Sequence, residues 1–460
     1  MHEWTEETER LAADVLAYTE ERLHLRPVPL DGPRSPDELA EEAGRTITAE
    51  GIGGKEALRI FAEVLAPACI SIDHPRYFSF IPCAPTPAST LFDLVVGASS
   101  IYGGSWMEGA GAVYAENQAL SWLASLAGFP ESAGGVFVQG GTLANVSALV
   151  AARHRQLARE AATGRERDFS RRYAVAASTE AHSSVHSAAA AMDVDLIGIE
   201  PDENGRLTGP GLRTALDRSA AEHPERICFA VVATAGTTNL GVVDDLEGVA
   251  EVAASRDLWL HVDGAYGAAA LAAPSRRAMF AGIARADSFV VDPHKWLFAP
   301  FDCAALLYRD PAVAFAAHSQ HASYLEPLRT GEEWSPSDYA LHLTRRARGL
   351  PFWFSLAAYG TDAYSAAIER TLEVADYAAR RVRELGHLEL IGDPKLSVVA
   401  FRRRGWSEAR YYEWSAALLS SGTAFVVPTT HEGAPAIRLA VVNPRSSEED
   451  IDIVLGSLSD

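Results

Sequence analysis

Lys295 is the first residue that asks for a chemical reason. Only three of the 40 basic residues are lysines: Lys55, Lys295 and Lys395. Lys295 follows the β-branched run SFVVD and lies among apolar and aromatic neighbours in ADSFVVDPHKWLFAP. Apolar surroundings lower a lysine's pKa, and the neutral amine then attacks carbonyl carbons, which an arginine does not do. The plain alternative is a surface lysine just past a strand end. Asp263 closes a second apolar run, LWLHVD, ahead of GAYGAAA. A carboxylate in that place is costly unless paired, so it serves either a ligand or the amides of the next turn.

Both groups end predicted strands, with helical sequence between them. That is one βαβ unit, which carries both side chains to the same edge of a sheet. Gly140, Gly141 and Thr142 join the run GGVFVQ to the helical stretch TLANVSALVAARHR. Glycines admit close approach, and the amides and hydroxyl of a helix start hold anions. An N-capped helix after a tight turn is the plain reading of the same residues. His182, in STEAHSSVHSAAAA, has a flat ring suited to stacking. With His186 it has the spacing of a metal pair, yet no HExxH or third ligand accompanies them. Taken together, a strand-end lysine, a strand-end acid, a glycine-hydroxyl cradle and an imidazole describe a pyridoxal phosphate site. The lysine joins the cofactor aldehyde, the acid keeps the pyridine nitrogen protonated, and the helix start holds the phosphate.

The elements that must position these groups alternate. Strands are predicted at 134–139, 173–178, 195–200, 227–236, 258–263, 288–292 and 304–308, with helices from 142 to about 161, from 183, over GPGLRTALDRSAAEH and over DDLEGVAEVAASR. Such alternation implies an α/β fold with a mostly parallel sheet and helices on its faces. Ligands bind such sheets beyond the carboxyl ends of the strands. Leu11, Val15 and Tyr18 recur at helical spacing near the N-terminus, in a helix that needs a docking surface; DGPRSPDEL ends it, with Ser35 or Asp37 capping the next. Residues 71–84 are aromatic and Pro-bounded, and read as a loop. Periodicity is lost over 311–350, whose centre reads as a long loop, and one long helical stretch is expected over 351–385. The tail from about 388 reads as strand, helix, strand, strand, helix. Three parts follow: an N-terminal helical docking segment (1–84), a large cofactor-binding domain (85–350) and a small α+β domain (351–460).

The composition narrows the partners. The 61 acidic residues outnumber the 40 basic ones, for a formal charge of −21, which argues against nucleic acid or an anionic membrane as the main partner. Four scattered cysteines form no disulfide framework or zinc knuckle. No apolar signal core or 18-residue apolar run occurs, so a soluble cytoplasmic protein is expected. No GxGxxG follows a strand, which disfavours a nicotinamide enzyme.

The motifs DPHKWL, HVDGAYG, EAHSSV and ATAGTTNLGVVD stand in this chain with HPRYF, RRARGLPFWF and RLAVVNPRSSEED. Through them the chain resembles the group II pyridoxal-phosphate amino-acid decarboxylases, the family of aromatic-L-amino-acid and glutamate decarboxylases, from about residue 10 to 455. The resemblance implies the fold type I architecture of the pyridoxal-phosphate-dependent transferases, and a homodimer with its active sites at the interface. It makes Lys295 the cofactor-bearing lysine and Asp263 the partner of the ring nitrogen. His182 would stack on the ring, with Ala265 on the opposite face. Gly140, Gly141, Thr142 and His294 would hold the phosphate, and Thr238 and Asp244 would lie beneath or beside the ring. Tyr324 takes the loop position near the substrate α-carbon. His74, Phe80, Ile81 and Pro82 would line the substrate pocket, while Tyr102 and Gly104 reach the neighbouring subunit's site.

The implied reaction is decarboxylation of an L-amino acid to its amine, with tyrosine, phenylalanine, tryptophan or DOPA preferred because Phe80 and Ile81 offer an apolar wall. Glutamate or diaminobutyrate is the polar alternative. Aldehyde synthesis by oxidative deamination is another, disfavoured because Tyr324 and His182 are both present. A non-catalytic scaffold is disfavoured by Lys295 and Asp263. Three departures from the family pattern stand out. Asp292 replaces the usual asparagine before the lysine, Gly104 stands where aromatic decarboxylases often carry a bulky ring, and Tyr102 where they carry an aliphatic residue.

Overall fold

Five helices precede the first strand: α1 (Glu6–His24), α2 (Pro36–Ala43), α3 (Gly54–Ile60), α4 (Pro87–Ser99) and α5 (Trp106–Leu126). The computed structural model describes residues 2–164, 170–320 and 333–459. Helix α1 buries none of its residues. Ser35 closes a capping box on α2, its hydroxyl accepting from Glu38 while the Glu38 carboxylate accepts from the Ser35 amide.

From there strands and helices alternate: β1 (Gly134–Val138), α6 (Gly141–Ala162), β2 (Arg172–Ser178), α7 (Ser183–Ala191), β3 (Asp195–Ile199), α8 (Gly209–Glu222), β4 (Arg226–Thr234), α9 (Leu246–Ser255), β5 (Trp259–Asp263), β6 (Ser288–Val291), α10 (Pro293–Trp296), β7 (Ala304–Tyr308) and α11 (Pro311–His318). The seven strands form one sheet in the order β1-β7-β6-β5-β4-β2-β3. Only β7 runs antiparallel to its neighbours. Alternate residues of each strand feed two cores: Ala174, Val231 and Ala233 pack with α5, α8 and α9, whereas Val175, Ala230 and Val232 pack with α6 and α7. Burial on both faces explains why these strands read as unbroken apolar runs.

The remaining elements are α12 (Leu350–Tyr359), α13 (Thr361–Glu384), β8 (Leu388–Leu390), β9 (Val398–Arg403), α14 (Glu408–Ser420), β10 (Thr429–His431), β11 (Ala434–Ala440) and α15 (Glu448–Gly456). Their antiparallel sheet, β10-β11-β9-β8, packs on α13, α14 and α15 around a separate core. None of the helices described is long and apolar enough to cross a membrane.

Four expectations about elements need correction. The crossover from β5 to β6 is not a helix but three short 3₁₀ turns, Gly267–Ala272, Arg277–Phe280 and Ile283–Arg285. Pro274 lacks an amide hydrogen, and Gly282 has φ +98°, so the segment cannot run on as one helix. The stretch over 351–385 is two helices, broken at Gly360 with φ +79°. Residues 311–318 are helical, started by Asp310, whose carboxylate accepts from the Ala312 amide; the segment is too apolar throughout to show a period. The tail has two strands, β8 and β9, before its first helix, and β8 spans only three residues.

Candidate active site

Parallel pairing of β5 with β6 sets Asp263 beside Val290, and the Asp292 amide donates to the Ala265 carbonyl at 3.0 Å. The two strand ends thus meet at one sheet edge. Asp263 is buried. Its Oδ2 accepts from Asn145 Nδ2 at 2.8 Å and its Oδ1 from the Ala265 amide at 3.1 Å. The turn-capping and ligand-facing readings of Asp263 are therefore compatible. Lys295 is half-buried on α10, and its Nζ lies 2.9 Å from Asp292 Oδ2.

Helix α6 begins next to this pair. Gly140 is its N-cap and offers no side chain to the first turn. The Gly141 amide donates to Asp292 Oδ2 at 3.3 Å. A Cβ on Gly141 would lie 3.0 Å from Ala265 Cβ and 3.2 Å from Asp292 Oδ2, so only glycine fits without a shift. Thr142 is exposed on the same turn. His294 Nδ1 accepts from the Cys303 amide at 2.9 Å, leaving Nε2 toward Asp292 Oδ2 at 3.6 Å. Burial holds the His294 pKa below the usual imidazole range. A first turn with no N-cap side chain, a glycine that the packing demands, a half-buried lysine and a twice-bonded acid make a set that fits a phosphate-bearing aldehyde cofactor.

His182 is exposed at the start of α7, and its Nδ1 meets the Ser184 hydroxyl at 2.9 Å and the Ser184 amide at 3.2 Å. Ser184 in turn accepts from Asn145 at 2.9 Å. The structure therefore links His182, Asp263, Ala265, Gly141, Asp292, His294 and Lys295 through bonds or close contacts.

Asp244 and Thr238 make no direct hydrogen bond to that cluster among the described residues, although Asp244 bonds Thr234, which pairs with Asp263 across β4 and β5. Asp244 accepts from the Thr234 and Leu207 amides at 2.6 and 2.7 Å, and burial pushes its pKa up to about 7. It lines a cavity of about 1080 Å³, with Arg206 and Lys395, that includes neither Lys295 nor Asp263. Thr238 is exposed in the loop after β4. Tyr324 lies outside the described residues.

The pocket segment is tied to the base of α10. Cys83 Sγ donates to the Ala299 carbonyl at 2.8 Å and the Thr86 amide to the Phe298 carbonyl at 3.0 Å. Pro82 is buried and Ile81 half-buried ahead of them. Phe80 is 59% exposed with φ +52°, a strained conformation for an aromatic residue, and its ring lies 6.3 Å from that of Phe425. His74 is buried, its Nδ1 accepting from the Arg76 amide at 2.9 Å. Tyr102 and Gly104 lie just ahead of α5: the Tyr102 hydroxyl donates to the Leu343 carbonyl at 2.9 Å, and the Gly103 amide to the Arg345 carbonyl at 3.1 Å. The Tyr102 ring fills the place a Cβ on Gly104 would take. Those two departures are thus one coupled exchange.

Sequence reasoning missed Asn145, Ser184 and His261. Asn145 stands one helical turn after Gly141, on the same face, and that spacing was the available signal.

Residues 55–404 match the family described as the pyridoxal-dependent decarboxylase conserved domain. An aromatic-L-amino-acid decarboxylase of Bacillus atrophaeus is 30% identical over 442 residues, 93% of this chain and 89% of its own. An L-2,4-diaminobutyrate decarboxylase of Rhizobium meliloti (strain 1021) is 34% identical over 414 residues, 87% of this chain and 81% of its own. Oryza sativa TDC, solved with PLP and tryptamine, shares the fold at a TM-score of 0.91 with 24% identity, covering 100% of this chain and 99% of that one. The chain belongs to the pyridoxal-dependent decarboxylase family. It is a pyridoxal-phosphate-dependent enzyme that decarboxylates an amino acid.

Proposed function

We propose that the substrate is an aromatic L-amino acid, released as its amine. The observation that carries this reading is Phe80: an exposed ring held on strained backbone, beside Phe425 and ahead of the buried Pro82 at the foot of α10. Strain of that kind persists where the surrounding structure holds a residue for a task. The 34% identity to a diaminobutyrate decarboxylase favours a second reading, a diamino acid substrate. Carbon dioxide release from a panel of amino acids, with amines and aldehydes measured separately, separates the two. Turnover of phenylalanine, tyrosine, tryptophan or DOPA supports the first reading, and turnover of diaminobutyrate alone overturns it.

When bound, pyridoxal phosphate supplies an electron sink for the bond to the departing carboxylate. Lys295 would hold its aldehyde carbon, and Asp263 would meet its ring nitrogen and keep a proton there. The first-turn groups of Gly141 and Thr142, with His294, would hold the phosphate. His182 would cover one ring face and Ala265 the other. His74, Phe80, Ile81 and Pro82 wall the substrate, and Tyr324 delivers a proton to the substrate α-carbon.

The working unit on this reading is a homodimer. Helix α1 has no fully buried residue, and α4 and α5 expose Leu91, Leu94, Val95, Met107 and Tyr114 close to the Tyr102 segment. An apolar surface of that kind marks an interface. A sedimentation mass of one chain with full activity contradicts it. Four unpaired cysteines, two of them buried, suit a cytoplasmic enzyme.

A further inference from the structure

We propose that Asn145 is a positioning residue, which ties the acid assigned to the cofactor's ring nitrogen to the imidazole assigned to the ring face and fixes the proton arrangement of both. The proposal rests on the roles given above to Asp263 and His182.

Asn145 is 1% exposed on α6 and uses its whole amide. Its Nδ2 donates to Asp263 Oδ2 at 2.8 Å and to Ser184 Oγ at 2.9 Å, and its Oδ1 meets His261 Nε2 at 2.8 Å. The chain continues through His261 Nδ1 to Ser288 Oγ at 2.8 Å, which accepts from Trp259 Nε1 at 2.9 Å. Its polarity is forced. An indole N–H only donates, and a carboxylate only accepts. The amide nitrogen of Asn145 must therefore face Asp263, and its oxygen must face a proton on His261 Nε2. Burial pushes the His261 pKa down, so the ring is neutral and its Nδ1 accepts from the Ser288 hydroxyl.

On the other branch Ser184 Oγ accepts from Asn145 and donates its own O–H to His182 Nδ1. The Ser184 amide donates to the same nitrogen. With Nδ1 accepting from both groups of Ser184, the ring proton sits on Nε2, on the exposed side of the ring. Asn145 thus serves both groups from one rigid helix. Of the titratable groups, His261 shares the strand of Asp263, His182 is reached through Asn145 and Ser184, and Asp292, paired with Lys295, is reached through Ala265.

The N–H that Asn145 gives Asp263 occupies part of that carboxylate's acceptor capacity. Without it the acid competes better for the ring-nitrogen proton, and the cofactor becomes a weaker electron sink. The test reads the pH midpoint of the bound cofactor's visible absorption in the holoenzyme without substrate. Asn145→Ala should move the midpoint upward by about one unit, the differential effect of one charge-assisted hydrogen bond. It should also lower kcat about tenfold with KM within about twofold, as loss of transition-state stabilisation requires. Ser184→Ala keeps the bond to Asp263 and should leave the midpoint in place. A wild-type midpoint in Asn145→Ala, or an equal shift in both variants, overturns the proposal.

If Asn145→Ala fails to fold, the ¹⁵N spectrum of histidine-labelled wild-type protein decides. The signal lost in His182→Gln should show Nε2 protonated at pH 8, and protonation at Nδ1 overturns the assignment. A wild-type enzyme that gains no visible absorption on cofactor loading would instead overturn the roles given to Lys295 and Asp263.

Discussion

Asp292 and Lys295 pair with each other across the start of α10, Oδ2 to Nζ at 2.9 Å. The acid is 1% exposed and also meets the Gly141 amide, while its second oxygen has no partner. A negative charge thus stands inside the cradle assigned to the phosphate. Asp292→Asn removes that charge and leaves an acceptor for Gly141. Inorganic phosphate should bind the variant apoenzyme more tightly, by up to about tenfold, as expected when one partly screened like charge is lost. Calorimetric titration measures this, and weaker binding would contradict it.

Gly141→Ala places a methyl group 3.0 Å from Ala265 Cβ and 3.2 Å from Asp292 Oδ2. Either Ala265 or the start of α6 must shift. Cofactor affinity should fall about tenfold, roughly 1.4 kcal/mol, with an unchanged far-ultraviolet spectrum. Fluorescence titration of the apoenzyme reads it. Wild-type affinity would show that the cradle tolerates a side chain.

How much of this was visible in the amino-acid order depends on burial. The seven strands of the large sheet are legible because both faces are covered and each reads as an apolar run. Lys295 and Asp263 are legible because each polar group closes such a run. The β5–β6 crossover misleads, since GAAALAA looks helical and only the glycines and Pro274 stop it. Asn145 is harder to read for another reason: its one-turn spacing from Gly141 is a signal, but one amide in TLANVSALVAARHR reads as a solvent-facing interruption. Only packing turns it inward, between Asp263 and His261. The Tyr102–Gly104 exchange needs a ring placed in space, which no local pattern supplies.

Stability should fall on the acid side. Burial pushes His74, His318 and His342 each down to about 4, against 6.5 for an ordinary imidazole. Below 6.5 the unfolded chain takes up protons that the folded chain refuses. Their contribution is complete above pH 6.5 and is lost as pH falls through about 4. Thermal unfolding between pH 7 and pH 4.5 checks this. His342→Gln, which keeps a donor for the Pro336 carbonyl, should lose fewer degrees of Tm over that interval than the wild type. An equal loss would exclude His342 as a contributor.

Tyr324→Phe should divert product from amine toward aldehyde, because the assigned proton donor to the substrate α-carbon is gone. Chromatography of both products under air gives the ratio. An unchanged amine yield rejects the role.

The central claim is that Lys295 carries the cofactor. Borohydride reduction of the loaded enzyme, followed by peptide mapping, reads it directly. With only Lys55 and Lys395 as other lysines, the map has three candidate side chains. A phosphopyridoxyl group on Lys295 alone is the predicted result. A label on either other lysine, or none on Lys295, contradicts the account.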